Sequence, residues 1–168
     1  MSQLPSALGK IMMVAGIVIA LGLLTVYFDG MLERQYNPNQ QVESLQYADG
    51  MREVVLQRNR SGHYVVTGQL NGRPVDLLVD TGATVVSIPE PLARELGLRR
   101  GHAVPTQTAS GMVTTYATVL ERVQIGDIEV RNVRASINPH SDLVLLGMSF
   151  LRELELTQRG DTLTLRQH

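Results

Sequence analysis

The sequence predicts an all-β, barrel-like domain carried behind one membrane-spanning helix. Three observations predict it. From about Glu53 to Arg166, short runs rich in apolar and β-branched residues recur between Gly- or Asn-containing turns. The run Ile11 to Phe28 contains 18 residues and no charge. The apolar segment Leu77-Leu78-Val79 leads straight into Asp80-Thr81-Gly82-Ala83-Thr84, which puts a carboxylate on a tight turn at a strand end.

As a helix, the run 11–28 is about 27 Å long, close to the thickness of a bilayer's hydrocarbon core. Tyr27 and Phe28 stand at its far end, where aromatic rings meet headgroups. Three readings compete. A cleaved signal peptide has a shorter apolar core and a small-x-small site after it, and Thr25-Val26-Tyr27-Phe28-Asp29-Gly30 is a poor match. A buried core helix shows a polar stripe, and none is visible. A retained anchor fits best. Lys10, the only lysine in the chain, lies just before the run, while Asp29, Glu33 and Arg34 follow it. The positive-inside rule then favours a cytoplasmic N-terminus and an exported C-terminal part. Gly16 and Ala20 form a small-xxx-small pair, which is common in anchors whether or not they pair.

From Asp29 to Arg52 the chain is polar and turn-prone, notably at Tyr36-Asn37-Pro38-Asn39-Gln40-Gln41, and reads as a stalk. Part of it after Val42 can also be read as a first irregular strand. Strands are then expected at 54–56 and 64–70, around a turn at Arg60-Ser61-Gly62. Asn71-Gly72 predicts a type I′ hairpin into the strand 75–79, whose consecutive apolar residues predict burial on both faces. Pro91 followed by Leu92-Ala93-Arg94-Glu95-Leu96, with Gly97 as a stop, predicts a short helix. Strands follow at 104–108, 113–120, 123–125, 128–133 and 135–137, with turns at Ser110-Gly111 and Gly126-Asp127. The apolar run 143–146 meets Gly147, a brief helix is expected over 148–154, and a last hairpin turns at Arg159-Gly160-Asp161.

A net charge of −1 gives no reason to expect nucleic acid as a partner. With no cysteine, a disulfide framework and a thiolate metal site are excluded. His63, His102, His140 and His168 are scattered singly, so no zinc spacing appears; no metal and no cofactor are expected.

Asp-Thr-Gly alone is weak evidence, because these are ordinary turn and strand residues. Here it has an apolar strand before it, Ala83-Thr84 after it, and Leu145-Leu146-Gly147-Met148-Ser149-Phe150-Leu151 further along the chain. Together these features resemble the retropepsin-like aspartic peptidases, in particular the membrane-anchored bacterial members with one N-terminal transmembrane helix. The resemblance covers roughly Val54 to Arg166. It implies a retropepsin-like closed β-barrel (the acid-protease fold) with one or two short helices.

The resemblance also implies roles. Asp80 is the expected catalytic carboxylate, one copy from each subunit of a homodimer. Two like charges held close do not both ionise easily, so the pair keeps one proton. One carboxylate then acts as general base on a water and the other as general acid toward the peptide. Thr81 is expected to hydrogen-bond across the dimer, and Gly82 to let the backbone turn beside the carboxylate. Ala83, Thr84 and Gly147 are expected to support the site, Thr84 through a hydroxyl near the outer carboxylate oxygen and Gly147 where a side chain would clash. Ala109, Ser110 and Gly111 sit where the family places its substrate-covering flap, although a plain hairpin turn explains them equally well. Asp161-Thr162-Leu163 lacks the glycine and is not a second site.

The expected organisation is therefore a cytoplasmic N-terminus over 1–10, a transmembrane helix over 11–28, a stalk over 29–52 and a peptidase domain over 53–168. The expected protein is a single-pass membrane protein of a bacterial inner membrane with its domain in the periplasm. Its expected activity is endopeptidase cleavage of a peptide or protein substrate by a homodimer. One alternative is a catalytically silent module of the same fold that binds peptides or assembles a complex, which has no need of an intact Asp80. Another is a protein that cleaves only itself.

Overall fold

The computed structural model describes residues 4–108 and 111–168. The chain divides into two units, residues 1–35 and 36–168. Nearly all of the first unit is one helix, α1 (Leu4–Tyr36). Its stretch from Leu8 to Tyr36 has a mean hydropathy of 2.5 over its most apolar window. Large apolar side chains such as Ile11, Ile17, Leu23 and Val26 are exposed around the helix. By length and composition α1 can cross a membrane, and a signal sequence passes the same test.

The second unit is mostly β. Its strands are β1 (Ser44–Gln46), β2 (Arg52–Gln57), β3 (Val65–Leu70), β4 (Arg73–Val79), β5 (Val86–Pro89), β6 (Ala103–Thr108), β7 (Gly111–Ile125), β8 (Ile128–Asn138), β9 (Val144–Leu146), β10 (Glu155–Arg159) and β11 (Thr162–Gln167). Two short helices, α2 (Glu90–Glu95) and α3 (Met148–Leu151), interrupt them. One sheet has the order β3-β4-β9-β5-β8-β7-β6, and Gln69↔Gln124 and Leu70↔Val123 return β7 to β3. Six strands thus form a ring with β6 outside it. A second sheet, β1-β2-β11-β10, packs alongside. Alternation on β2 turns Val54 and Leu56 inward and Val55 outward; Leu163 and Leu165 join them in one apolar cluster with Leu77, Ile88 and others.

Local signals place several elements where the sequence predicts them. Asn71 and Gly72 have φ of 51° and 87° at the β3–β4 turn, the positive pair that a type I′ turn requires. α2 carries Pro91 in its first turn and stops before Gly97. Two expectations change. The strands expected at 113–120 and 123–125 are one strand, β7, and those at 128–133 and 135–137 are one strand, β8. The break that the sequence suggests survives as an irregularity: Glu121 and Asn132 drop out of the β7–β8 ladder, and Asn132 has φ 54°.

The second change concerns the expected stalk over 29–52. α1 continues to Tyr36, and the chain then enters the β-domain at once. Asn37 and Asn39 are 1% and 4% exposed. Asn37 Nδ2 donates to Thr67 Oγ1 at 2.8 Å and to Asp76 Oδ1 at 2.7 Å. Asn39 Nδ2 donates to the carbonyls of Gln57 (2.9 Å) and Val65 (2.7 Å), and Asn39 Oδ1 accepts the Gln57 N–H at 2.7 Å. This amide therefore clips β2 to β3. Asn39→Ala leaves those backbone groups short of a partner, the Val65 carbonyl in a buried place and the Gln57 groups in a partly buried one. The expected cost is about 3 kcal/mol, from roughly 1–3 kcal/mol for each orphaned group after partial relaxation. Urea unfolding of the variant and the parent domain checks this; an unchanged midpoint would contradict the clip.

Candidate active site

Asp80 follows the last residue of β4, where three strands meet. β9 lies between β4, its parallel neighbour, and β5, its antiparallel neighbour. The ladder extends into the turn: the Asp80 N–H donates to the Leu146 carbonyl at 3.1 Å, one residue past the Val79↔Leu146 pair. On the other side of β4 the Val79 N–H donates to the Tyr64 carbonyl at 2.9 Å. The carboxylate is thus mounted on a rigid sheet.

The turn is closed by Asp80 itself. Its Oδ1 accepts the Gly82 N–H at 2.9 Å, and its carbonyl accepts the Ala83 N–H at 3.2 Å. This is an Asx turn, a geometry that Asp favours. Gly82 stays outside the left-handed region, so its role is not the tight backbone conformation that the sequence suggested. It supplies room, since a Cβ there would stand 3.1 Å from Asp80 Oδ1.

The outgoing limb is held from behind by the start of α3. The N–H groups of Met148 and Ser149 donate to the carbonyls of Ala83 (2.8 Å) and Thr84 (3.1 Å). Gly147 permits this contact: a Cβ there would lie 2.3 Å from the Val85 carbonyl oxygen and 2.7 Å from that of Ala83. Its φ of −90° is open to any residue, so the constraint is one of space. Sequence reasoning assigned no role to Ser149. This residue is buried; its Oγ donates to the Arg134 carbonyl at 2.7 Å and accepts the Val86 N–H at 3.1 Å. It ties β5 to β8 directly behind the site loop. A polar residue within the apolar run 143–151 was the available signal.

The structure brings Asp80, Thr81, Gly82, Ala83, Thr84 and Gly147 together at one place. Asp80 and Ala83 are half-buried, while Thr81, Gly82 and Thr84 are exposed. Among the described residues, the hydroxyls of Thr81 and Thr84 make no hydrogen bond, so the expected approach of Thr84 to the carboxylate is not made as a bond within this chain. Leu78 and Val79 are half-exposed, against the expectation that β4 is covered on both faces. Val79 still packs against the apolar cluster, and Leu78 does not join it. A groove of about 440 Å³ lies elsewhere, against Tyr36, Val75, Leu92 and Leu143, and the site loop takes no part in it.

β6 and β7 form the expected hairpin, paired from Ala103↔Tyr116 to Thr108↔Gly111. Of the proposed flap residues, Ala109 and Ser110 lie outside the described residues, and Gly111 has φ 114°. Tyr116 stacks under the Arg100 guanidinium, 3.4 Å from its carbon to the ring centre, so the nearest aromatic to the hairpin end is already engaged. Among the described residues, no group of His, Asp and Glu is arranged to hold a metal ion.

The family model described as gag-polyprotein putative aspartyl protease matches residues 66–153, from β3 through α3. The chain belongs to this family. Its matched part contains the Asp80 turn, the β6–β7 hairpin and Gly147. The chain is 37% identical over 125 residues to an uncharacterized Sinorhizobium protein of the cobV 5′ region, covering 71% of this chain and 54% of that protein. It is 26% identical over 118 residues to an uncharacterized protein of Rickettsia prowazekii (strain Madrid E), covering 68% and 51%. The chain thus spans about half the length of the curated relatives it matches. Among solved structures, a retropepsin-like aspartic protease from Rickettsia conorii superposes with a TM-score of 0.59 at 24% identity, covering 76% of this chain and 96% of that one. That likeness shows a shared fold, and the expected all-β, retropepsin-like domain stands.

Proposed function

We propose that this gag-type aspartyl protease is a membrane-anchored endopeptidase whose active unit is a homodimer. The observation that carries the reading is the Asp80 turn: a carboxylate whose residue is held by Leu146 and Gly82, on an exposed loop where the hydroxyls of Thr81 and Thr84 make no hydrogen bond among the described residues. Asp80 lies in the one Asp-Thr-Gly of the sequence, so a single chain supplies half of a dyad. A two-fold axis beside the loop would set two Asp80 carboxylates face to face and give Thr81 a bonding partner. It would also cover Leu78 and Val79. In the dyad one carboxylate removes a proton from water, the water attacks the peptide carbonyl, and the other carboxylate protonates the departing amine. Asp80, Thr81 and Gly82 form the catalytic turn in this reading. Ala83, Thr84 and Gly147 support it, and the hairpin end at Ala109, Ser110 and Gly111 covers the substrate.

Anchoring is supported by the exposed apolar surface of α1, which water penalises heavily at about 25 cal/mol per Å². Lys10 before the uncharged run supports an N-terminus inside and a domain in the periplasm. A soluble form suited to a peptide-library assay must begin at or before Tyr36, because Asn37 and Asn39 belong to the domain. On this form, specific activity is expected to fall on dilution as subunits part. Sedimentation run beside the assay decides the point: unchanged specific activity in a sample shown to be monomeric would refute the shared site.

A further inference from the structure

The uncharged run and the β-domain are separated by a very short connection. α1 runs unbroken to Tyr36, and Asn37 and Asn39 are buried parts of the domain, held by hydrogen bonds to β2, β3 and β4. The Thr67 N–H donates to the Asn39 carbonyl at 3.2 Å, and the Tyr36 carbonyl accepts from Asn59 Nδ2 at 2.9 Å, so the chain is fastened from Tyr36 onward. The connection between the two runs from Phe28 to Asn37. As helix it rises about 13 Å, and fully extended it reaches about 30 Å. These limits come from chain length and hold for any orientation of the domain. A domain of the size of residues 36–168 has a radius of gyration of about 14 Å and a width of about 36 Å. With the helix intact, Asp80 therefore stays within about 50 Å of the hydrocarbon edge.

We infer that the substrates are membrane-tethered polypeptides cut in their juxtamembrane segments. This rests on the reading of α1 as an anchor and of the domain as a peptidase. A catalytic group confined to a thin layer above the bilayer meets tethered chains at an effective concentration in the millimolar range for short tethers, which falls roughly as the −3/2 power of tether length. A freely diffusing peptide at micromolar concentration gains nothing from that confinement. The buried Asn37–Asn39 clip keeps the layer thin, because lengthening the connection would require removing those side chains from the domain.

The test uses the full chain in vesicles of phosphatidylethanolamine and phosphatidylglycerol. The probe is the best-cleaved library sequence in three forms: lipid-anchored through a Gly-Ser spacer of about 10 residues, lipid-anchored through about 150, and unanchored at equal bulk concentration. The short-spacer probe is expected to be cut at least about tenfold faster than either of the others. A variant with about 40 Gly-Ser residues inserted after Gly30, upstream of the clip, is expected to reduce the difference to below about threefold. Equal rates on all three probes, or an insertion that leaves the preference unchanged, would overturn the inference and leave the peptidase reading intact. Cleavage of no probe above the level of Asp80→Asn would overturn the peptidase reading, and the inference with it.

Discussion

Asp80→Asn is expected to lower peptide cleavage by about 10³-fold or more while the domain keeps its fold. The kinetic loss follows from the proposed chemistry: an amide can neither take a proton from water nor give one to a leaving amine, and each such proton transfer contributes about 10²–10⁴-fold. Retention of the fold follows from the observed bonds. The side-chain oxygen of Asn can accept the Gly82 N–H as Asp80 Oδ1 does at 2.9 Å, and the backbone bond to Leu146 does not involve the side chain. Rates on one library peptide, measured with thermal unfolding of both proteins, check both halves. A folded Asp80→Asn protein that cleaves at the parental rate would end the aspartyl mechanism. The same variant probes the shared site, because added in excess it should poison the wild-type protein by capturing it in mixed dimers.

How much of this was legible in the sequence depended on whether the signal was local. The Asn71-Gly72 turn, α2 between Pro91 and Gly97, and the strand-to-Asp80 junction were readable because neighbouring residues dictate their geometry. The packing constraint at Gly147 was expected only through the family resemblance, because its neighbours alone do not say which loop passes behind it. The Asn37–Asn39 clip was not readable. Its two amides satisfy backbone and side-chain groups on strands 18 to 39 residues away, and an Asn-Pro-Asn segment reads identically whether water or a distant strand receives those bonds. The continuity of β7 and β8 was hidden for a related reason. Charged and polar positions at Glu121-Arg122 and Asn132 break the apolar pattern, but Glu121 and Asn132 are exposed, Arg122 is half-buried, and ladder pairs resume beyond the gap. Half-exposure of Leu78 and Val79 departs from the two-faced burial that their composition suggests.

A loss of both stability and turnover is expected at Gly147. Gly147→Ala puts a methyl group 2.3 Å from the Val85 carbonyl oxygen and 2.7 Å from the Ala83 carbonyl oxygen, and both obstacles are backbone. A flexible side chain could swing away, but these atoms belong to the limb between the Asp80 turn and β5. That limb is pinned on its far side by the Val86 N–H bond to Ser149 Oγ at 3.1 Å. Relief therefore means moving α3 back, which stretches the Met148–Ala83 and Ser149–Thr84 bonds, or moving the site loop forward. Overpacking of this kind costs about 1–3 kcal/mol, and the upper end is expected here because the neighbours are backbone. Displacement of the loop by about 1 Å should also lower turnover by about 10²-fold in the protein that remains folded. Urea unfolding and cleavage assays on Gly147→Ala read the two effects separately. Parental stability together with parental turnover would mean that the contact between α3 and the site loop is not what holds Asp80 in place.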